Sequence, residues 1–254
     1  MARHRLFLPD ADPEPGACLT ITGQEAHHAA RVKRMAQGDE VELLDGRGLR
    51  ALGTIQGFDR EPGQGRGAKP EWVLRVLVTS AEREPPLRPR LRVLAGVPKG
   101  PHLEEMIDQL SQVGAAGWSP LVTSRTVVSP RLGKMLKAER IAAEAAKQCG
   151  RAWTMEIGEP VSLEDALAGG RRGAEPPTRL IVADASGGVY EPDGSPDLTL
   201  LVGPEGGFAE GEIHAALRAG AGLCRFGAHV MRLETAAVVA AGIILDAEHR
   251  RPRP

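Results

Sequence analysis

Two segments of the 254-residue chain carry residue types that could bind a ligand and act on it. The first is Leu198-Thr-Leu-Leu-Val-Gly-Pro-Glu-Gly-Gly-Phe208, an apolar run ending in a glycine-rich turn. Glycines at 203, 206 and 207 let backbone N–H and C=O groups approach a ligand closely. The turn is not GxGxxG and lacks the Lys-Ser/Thr of a triphosphate loop, so it indicates neither a dinucleotide nor a nucleoside triphosphate. A ligand-free turn between a strand and a helix would have the same composition. The second segment is Arg225-Phe-Gly-Ala-His-Val-Met-Arg-Leu-Glu-Thr-Ala-Ala237, with Arg232, Glu234 and Thr235 at a helix start. A guanidinium there can hold developing negative charge, and a carboxylate can take a proton. Equally, Thr235 or Glu234 could be a plain helix cap and Arg232 a solvated charge.

Both segments run from a short apolar strand through a loop into a helix. Ligands in open α/β sheets bind at the carboxyl ends of strands, which is where these loops fall. The strands at 198–202 and 223–226 are expected to be neighbours. They belong to an alternation of strands and helices that follows the Pro/Arg-rich stretch 82–90, the best linker in the chain. Further strands are expected at 91–97, 121–123 and 180–183. A helix follows Pro101, with Leu103, Met106, Ile107, Leu110 and Val113 at helical spacing. Helices at 134–148 and 209–219 each end at a glycine, and the last helix spans 234–249. Loops at 169–178 and 186–197 are expected to be exposed. Alternation of this kind implies a parallel sheet covered on both faces.

Before the linker the pattern is mainly β. Strands are expected at 5–8, 18–21, 40–44, 50–57 and 72–79, with one helix at 24–35 and a long surface loop at 59–70. This predicts a small β-barrel carrying one helix over residues 1–80, followed by an α/β domain over 90–254.

Composition narrows the functions available. Aromatic residues make up 3%, too few for a stacking platform for bases, and the net charge of −1 gives no bulk attraction to nucleic acid. Three cysteines stand far apart without a CxxC, which fits a reduced cytoplasm and neither a disulfide framework nor a zinc ribbon. His27 and His28 are adjacent and would diverge on a helix, so they make a poor metal pair. No metal is expected. The longest apolar run, 236–245, is about half of a bilayer span, and no membrane association is expected.

Taken together, Val202-Gly-Pro-Glu-Gly-Gly207 and Phe226-Gly-Ala-His-Val-Met-Arg-Leu-Glu-Thr-Ala236 resemble the motifs of the bacterial 16S ribosomal RNA uracil-N3-methyltransferases, of the SPOUT superfamily. More of the chain agrees with that family. His4-Arg-Leu-Phe-Leu8 looks like its start. Ala26-His-His-Ala-Ala-Arg-Val-Lys-Arg-Met35, Gly38-Asp39 and Leu44-Asp-Gly46 look like its PUA-like barrel. Ala145-Ala-Lys-Gln-Cys-Gly-Arg151 looks like its central helix. Ser111 and Gln112 stand where Lys and Glu are usual, Phe226 where Leu is usual, and His229 in place of an Arg-like residue.

The resemblance implies a PUA-like RNA-binding barrel and a SPOUT α/β domain with a trefoil knot. It implies methylation of N3 of a uridine near the decoding region of 16S ribosomal RNA, within the 30S subunit, by a cytoplasmic homodimer. The cofactor implied is S-adenosyl-L-methionine, held by Val202, Gly203, Glu205, Gly207, Phe226, Gly227, Met231, Leu233 and Thr235. Arg232 and Glu234 are the implied catalytic residues, Arg232 against the uracil oxygens. RNA contacts are expected from Arg5, His28, Arg31, Lys33, Arg34, Lys147 and Arg151. Two other readings share the fold: an RNA-binding protein without turnover, and a knotted 2′-O-methyltransferase.

Overall fold

The computed structural model describes residues 3–62, 70–127, 132–169 and 178–251. The chain divides into two units, Met1–Pro85 with Ala146–Trp153, and Pro86–Ala145 with Thr154–Pro254. The first therefore runs a few residues past the expected boundary at 80 and includes a short segment from the middle of the chain.

The first unit is built on a five-stranded mixed sheet in the order β1-β3-β4-β5-β2. The strands are β1 (His4–Phe7), β2 (Cys18–Ile21), β3 (Glu40–Leu44), β4 (Leu49–Glu61) and β5 (Glu71–Arg83). β1 pairs with β3 in parallel; the other pairs are antiparallel. Alternating apolar residues such as Val41, Leu43, Ala51, Ile55, Leu74, Val76 and Val78 form its core, as period-2 burial requires. β4 and β5 extend well beyond the expected strands, so residues 59–61 are paired strand; 63–69 lie outside the described residues. The single expected helix at 24–35 is a short α1 (Gly23–His27) continuing as a π-helical turn, His28–Val32. It stops at Val32, and Arg34 has a left-handed φ of 53°.

The second unit has a parallel sheet in the order β12-β10-β11-β6-β7-β8, with β9 also pairing β7. The strands are β6 (Arg90–Ala95), β7 (Gly117–Val122), β8 (Glu156–Ile157), β9 (Val161–Ser162), β10 (Arg179–Gly188), β11 (Asp197–Val202) and β12 (Gly222–Cys224). The helices are α2 (His102–Val113), α3 (Leu132–Cys149, its end counted in the first unit), α4 (Leu163–Gly169), α5 (Glu210–Arg218) and α6 (Leu233–Arg250).

Successive residues along these strands face opposite cores. Leu91, Val93, Ala95, Ile181, Leu198, Leu200 and Val202 pack with residues of α2 and α6. Leu94, Leu180, Val182 and Leu201 pack with Leu163, Leu167 and Ala216 of α4 and α5. Both faces are buried, so the strands read as continuous apolar runs.

The structure corrects two further expectations. The loop at 186–197 is not simply exposed: residues 186–188 are strand, and Tyr190 is buried with its hydroxyl donating to Glu248 at 2.6 Å. The strands at 198–202 and 222–224 are not neighbours, because β10 lies between them. Pairing order is set by register along whole strands, which the loop motifs do not encode.

Candidate active site

The carboxyl ends of β12 and β11, the middle of β10 and the loop after β6 line one cavity of about 980 Å³ across adjacent strands. That lies at the upper end of the usual ~300–1,000 Å³ of small-molecule sites. Its wall contains Val202 at the end of β11 and Gly203, Glu205, Gly207 and Phe208 from the loop after it. It also contains Phe226, Gly227, Met231, Arg232, Leu233 and Glu234 from the segment after β12. The two motifs thus meet, although their strands do not pair. Thr235 is exposed and absent from the wall.

Local packing fixes the two motif segments. In the first, the Gly207 amide donates to the Pro204 carbonyl at 2.7 Å, closing a tight turn in which Gly207 takes a left-handed φ of 67°. A Cβ at Gly203 would sit 3.2 Å from the Gly207 carbonyl carbon and from the Phe208 ring, so the turn folds back on itself there. In the second, Leu233 and Phe226 are buried in the core while His229, Val230 and Arg232 are exposed. Arg232 is the N-cap of α6, with extended backbone and no side-chain capping bond. The capping role open to Glu234 or Thr235 is therefore not taken, because α6 starts at Leu233.

Charges of both signs line the cavity: Lys99, Arg225 and Arg232 against Asp184, Glu205 and Glu234. Two of these were not singled out in the sequence. Lys99, just after β6, makes a 2.6 Å ion pair with Glu205. Asp184, near the middle of β10, is half-buried, and its Oδ1 accepts from the Ser186 amide at 2.9 Å and hydroxyl at 2.6 Å. The position of β10 between the motif strands is what brings Asp184 in; an apolar run followed by Asp gave no signal of that. Burial pushes the Cys224 thiol up, so this wall residue stays a neutral, polarisable group.

The expected RNA contacts separate into two sets. Arg31, Lys33 and Arg34 are exposed at the end of the π-helical turn and after it. Arg5, Lys147 and Arg151 are only partly exposed. Arg5 donates to Glu42 at 2.7 Å and to the carbonyls of Lys147 and Gln148 at 3.2 and 2.8 Å. Arg50 joins Glu42, Glu84 and the Gly150 carbonyl, so two guanidiniums cover the end of α3. Gly150 has a φ of 79°, and a Cβ there would lie 2.6 Å from the Arg5 guanidinium. Lys147 pairs with Glu25 at 2.7 Å with side chains 13% and 18% exposed. Arg151 is half-buried, and burial lowers its pKa. His28 stacks on His4 with ring centroids 5.6 Å apart.

Ser111 is buried and donates to the Ala142 carbonyl at 3.3 Å, while exposed Gln112 donates to Asp108 at 2.8 Å. Among the described residues no group of three or more His, Cys, Asp or Glu is arranged to hold a metal, and no helix is long and apolar enough to cross a membrane.

A parallel α/β domain with a cavity at its strands, in a chain that also carries a mixed-sheet domain, defines the class. Residues 84–245 match the RNA methyltransferase domain and residues 21–63 the RNA methyltransferase PUA domain. The chain belongs to this family of RNA methyltransferases, and its second unit has the SPOUT α/β fold.

Among curated relatives, it is 31% identical to ribosomal RNA small subunit methyltransferase E of Mycobacterium bovis, over 94% of this chain and 90% of that one. It is 27% identical to the protein of the same name from Bacillus subtilis, over 96% of both chains. Among solved structures, it is 26% identical to the putative methyltransferase Lpg2936 of Legionella pneumophila, a complex with the cofactor S-adenosylmethionine. That match has a TM-score of 0.77 and covers 97% of this chain and 98% of the other.

Proposed function

We propose that the protein methylates N3 of a uridine in 16S ribosomal RNA, near the decoding region of the small subunit, with S-adenosyl-L-methionine as methyl donor. The observation that carries this reading is the convergence of the loop after β11 and the segment 225–234 on one cavity, in a family of RNA methyltransferases. The site suits that cofactor chemically. Val202, Phe226, Met231 and Leu233 offer an apolar wall for a purine, and the backbone of Gly203 and Gly207 offers hydrogen bonds to its edge. Glu205 and Asp184 offer carboxylates to an ammonium group.

When bound, S-adenosylmethionine supplies an electrophilic methyl group on a sulfonium. The chain's own residues must then position the uracil and manage its N3 proton. N3–H is a weak acid, so the nucleophile forms only as its proton leaves. Glu234 is the proposed acceptor of that proton. Arg232 is the proposed cation that holds the charge spreading onto O2 and O4, where a preorganised donor is worth most. Lys99 holds Glu205 in an ion pair at the cavity wall. Phe226 and Leu233, both buried, exclude water from one wall. The exposed Arg31, Lys33 and Arg34 are the proposed phosphate contacts of the PUA-like domain.

The same reading places the protein in the cytoplasm, as a homodimer, with the chain around α6 threaded as a trefoil knot. For the knot alone, what supports the reading is that α6 follows the loop after the edge strand β12 and packs against α2, β6 and β11.

Incubation with 30S subunits and methyl-labelled cofactor, followed by mass spectrometry of the nucleosides, tests the proposal. Labelled 3-methyluridine is the expected product. A labelled ribose-methylated nucleoside would instead make it a 2′-O-methyltransferase, and no label would leave an RNA-binding protein.

A further inference from the structure

The cavity has a support that the two motifs do not supply: the loop following β7. We infer that Arg125 and Glu212 are positioning residues for cofactor binding, clamping the glycine-rich turn from behind. This rests on the cavity being the S-adenosylmethionine site.

Arg125 Nη1 donates to the Gly206 carbonyl at 2.8 Å and to the Phe208 carbonyl at 3.3 Å. Gly206 is the one residue between 203 and 208 that does not line the cavity. Its carbonyl is therefore turned to the back of the turn, toward Arg125. The following amide, of Gly207, donates to Pro204, so both ends of the 206–207 peptide are held. A free peptide in a glycine pair would rotate readily, because neither residue has a Cβ to restrict it.

Glu212 completes the device. It sits in the first turn of α5, where one oxygen accepts from the Ala209 amide at 2.8 Å and the other from the Ser124 amide at 2.8 Å. Burial pushes this carboxyl up, but the bonds from Ser124 and Ala209 and the nearby Arg125 charge outweigh it and hold its pKa below the usual value. The loop itself is closed by the Thr123 amide donating to the Thr126 hydroxyl at 2.8 Å. Arg125 and Glu212 thus tie one loop to the chain at Gly206, Phe208 and Ala209, the side on which the turn leads into α5. An isolated ion pair would do less, since the bonds here go to backbone groups that set the shape of the turn.

The consequence is a split between affinity and turnover. Neither side chain lines the cavity, so neither acts on the reacting atoms. Loss of the clamp lets the turn sample shapes that do not bind, which lowers apparent affinity by the fraction still competent. Titration calorimetry with S-adenosylmethionine should show about tenfold weaker binding for Arg125→Ala and Glu212→Gln. Arg125→Lys should recover part of the loss, since an ammonium can serve one of the two carbonyls. In the methylation assay KM for the cofactor should rise in parallel, with kcat at saturating cofactor within about twofold. Melting curves identify a variant that does not fold; Arg125→Lys and Glu212→Gln then decide. Binding within twofold of wild type in folded variants would overturn the clamp alone. A fall in kcat with unchanged KM would overturn it too. A wild-type chain that binds no cofactor would instead overturn the reading of the cavity.

Discussion

The cavity in the second unit and the basic cluster in the first were both expected from short motifs, yet they behave differently. Around the cavity, all the expected cofactor residues but Thr235 line a single space. In the first unit, Arg5 and Lys147 are taken up by Glu42, Glu25 and the carbonyls at the end of α3. The difference lies in what each role requires. A glycine-rich turn after a buried strand presents backbone groups to the cavity wherever the strand ends, whatever side chains surround it. A cation's role depends on whether an acid reaches it, and Glu25 is 122 positions from Lys147.

The sharpest break of this comparison is Gly203→Val. Its Cβ would press on the Gly207 backbone and the Phe208 ring, so the turn must move before any ligand arrives. Cofactor affinity should fall on the order of 100-fold or more, about 3 kcal/mol, while the melting temperature drops only a few degrees. Calorimetry and thermal melts on the same sample check this. Normal binding would mean that the turn is only a turn.

Next in size is the contrast among cations. Replacing Arg31, Lys33 and Arg34 together with Ala should reduce the slope of log affinity for RNA against log salt by about two, at roughly 0.7 per single-strand phosphate contact. Folding stability should hold. Lys147→Ala should do the reverse: leave the salt slope alone and cost about 1–3 kcal/mol, between the limits for surface and buried pairs, because Glu25 loses its partner. Filter binding across salt and urea unfolding separate the two outcomes. A salt slope that tracks Lys147 would return it to the RNA surface.

A pH dependence is the last expected effect. Burial first, then the charges of Lys147, His28 and Lys33, bring the His4 pKa from 6.5 to about 4. The unfolded chain binds this proton more readily, so this site's contribution to stability rises with pH between about 4 and 6.5 and is flat above. His4→Gln should remove this slope, so the wild-type minus variant difference in stability should rise with pH across that window in denaturant titrations. An unchanged pH slope would show that His4 titrates normally.

Much of the fold was legible because it rests on local signals. β2 and β3 have the expected ends, and α2, α5 and α6 are displaced by only a residue or two. β8, β9 and α4 were not legible, being too short for periodicity to register. The π-helical turn after α1 was hidden because His28–Val32 has ordinary helical composition. Strand order was misread where β10 separates β11 from β12, and with it Asp184 was missed. Lys99 was overlooked for a similar reason: its partner Glu205 lies 106 positions away. The loop after β7 gave no signal either, since Arg125 binds backbone carbonyls that any sequence provides.

The central claim is that this cavity binds the cofactor through the turn and does its chemistry through Arg232. Arg232→Ala tests it most directly, with cofactor affinity and methyl transfer to 30S subunits measured on one preparation. Arg232 caps α6 by backbone alone and is exposed, so the variant should fold and bind cofactor within about twofold of wild type. Transfer should slow by at least ~10²-fold, the loss seen when a transition-state charge stabiliser is removed. Normal turnover by this variant would contradict the account, leaving Arg232 a surface residue at the start of a helix.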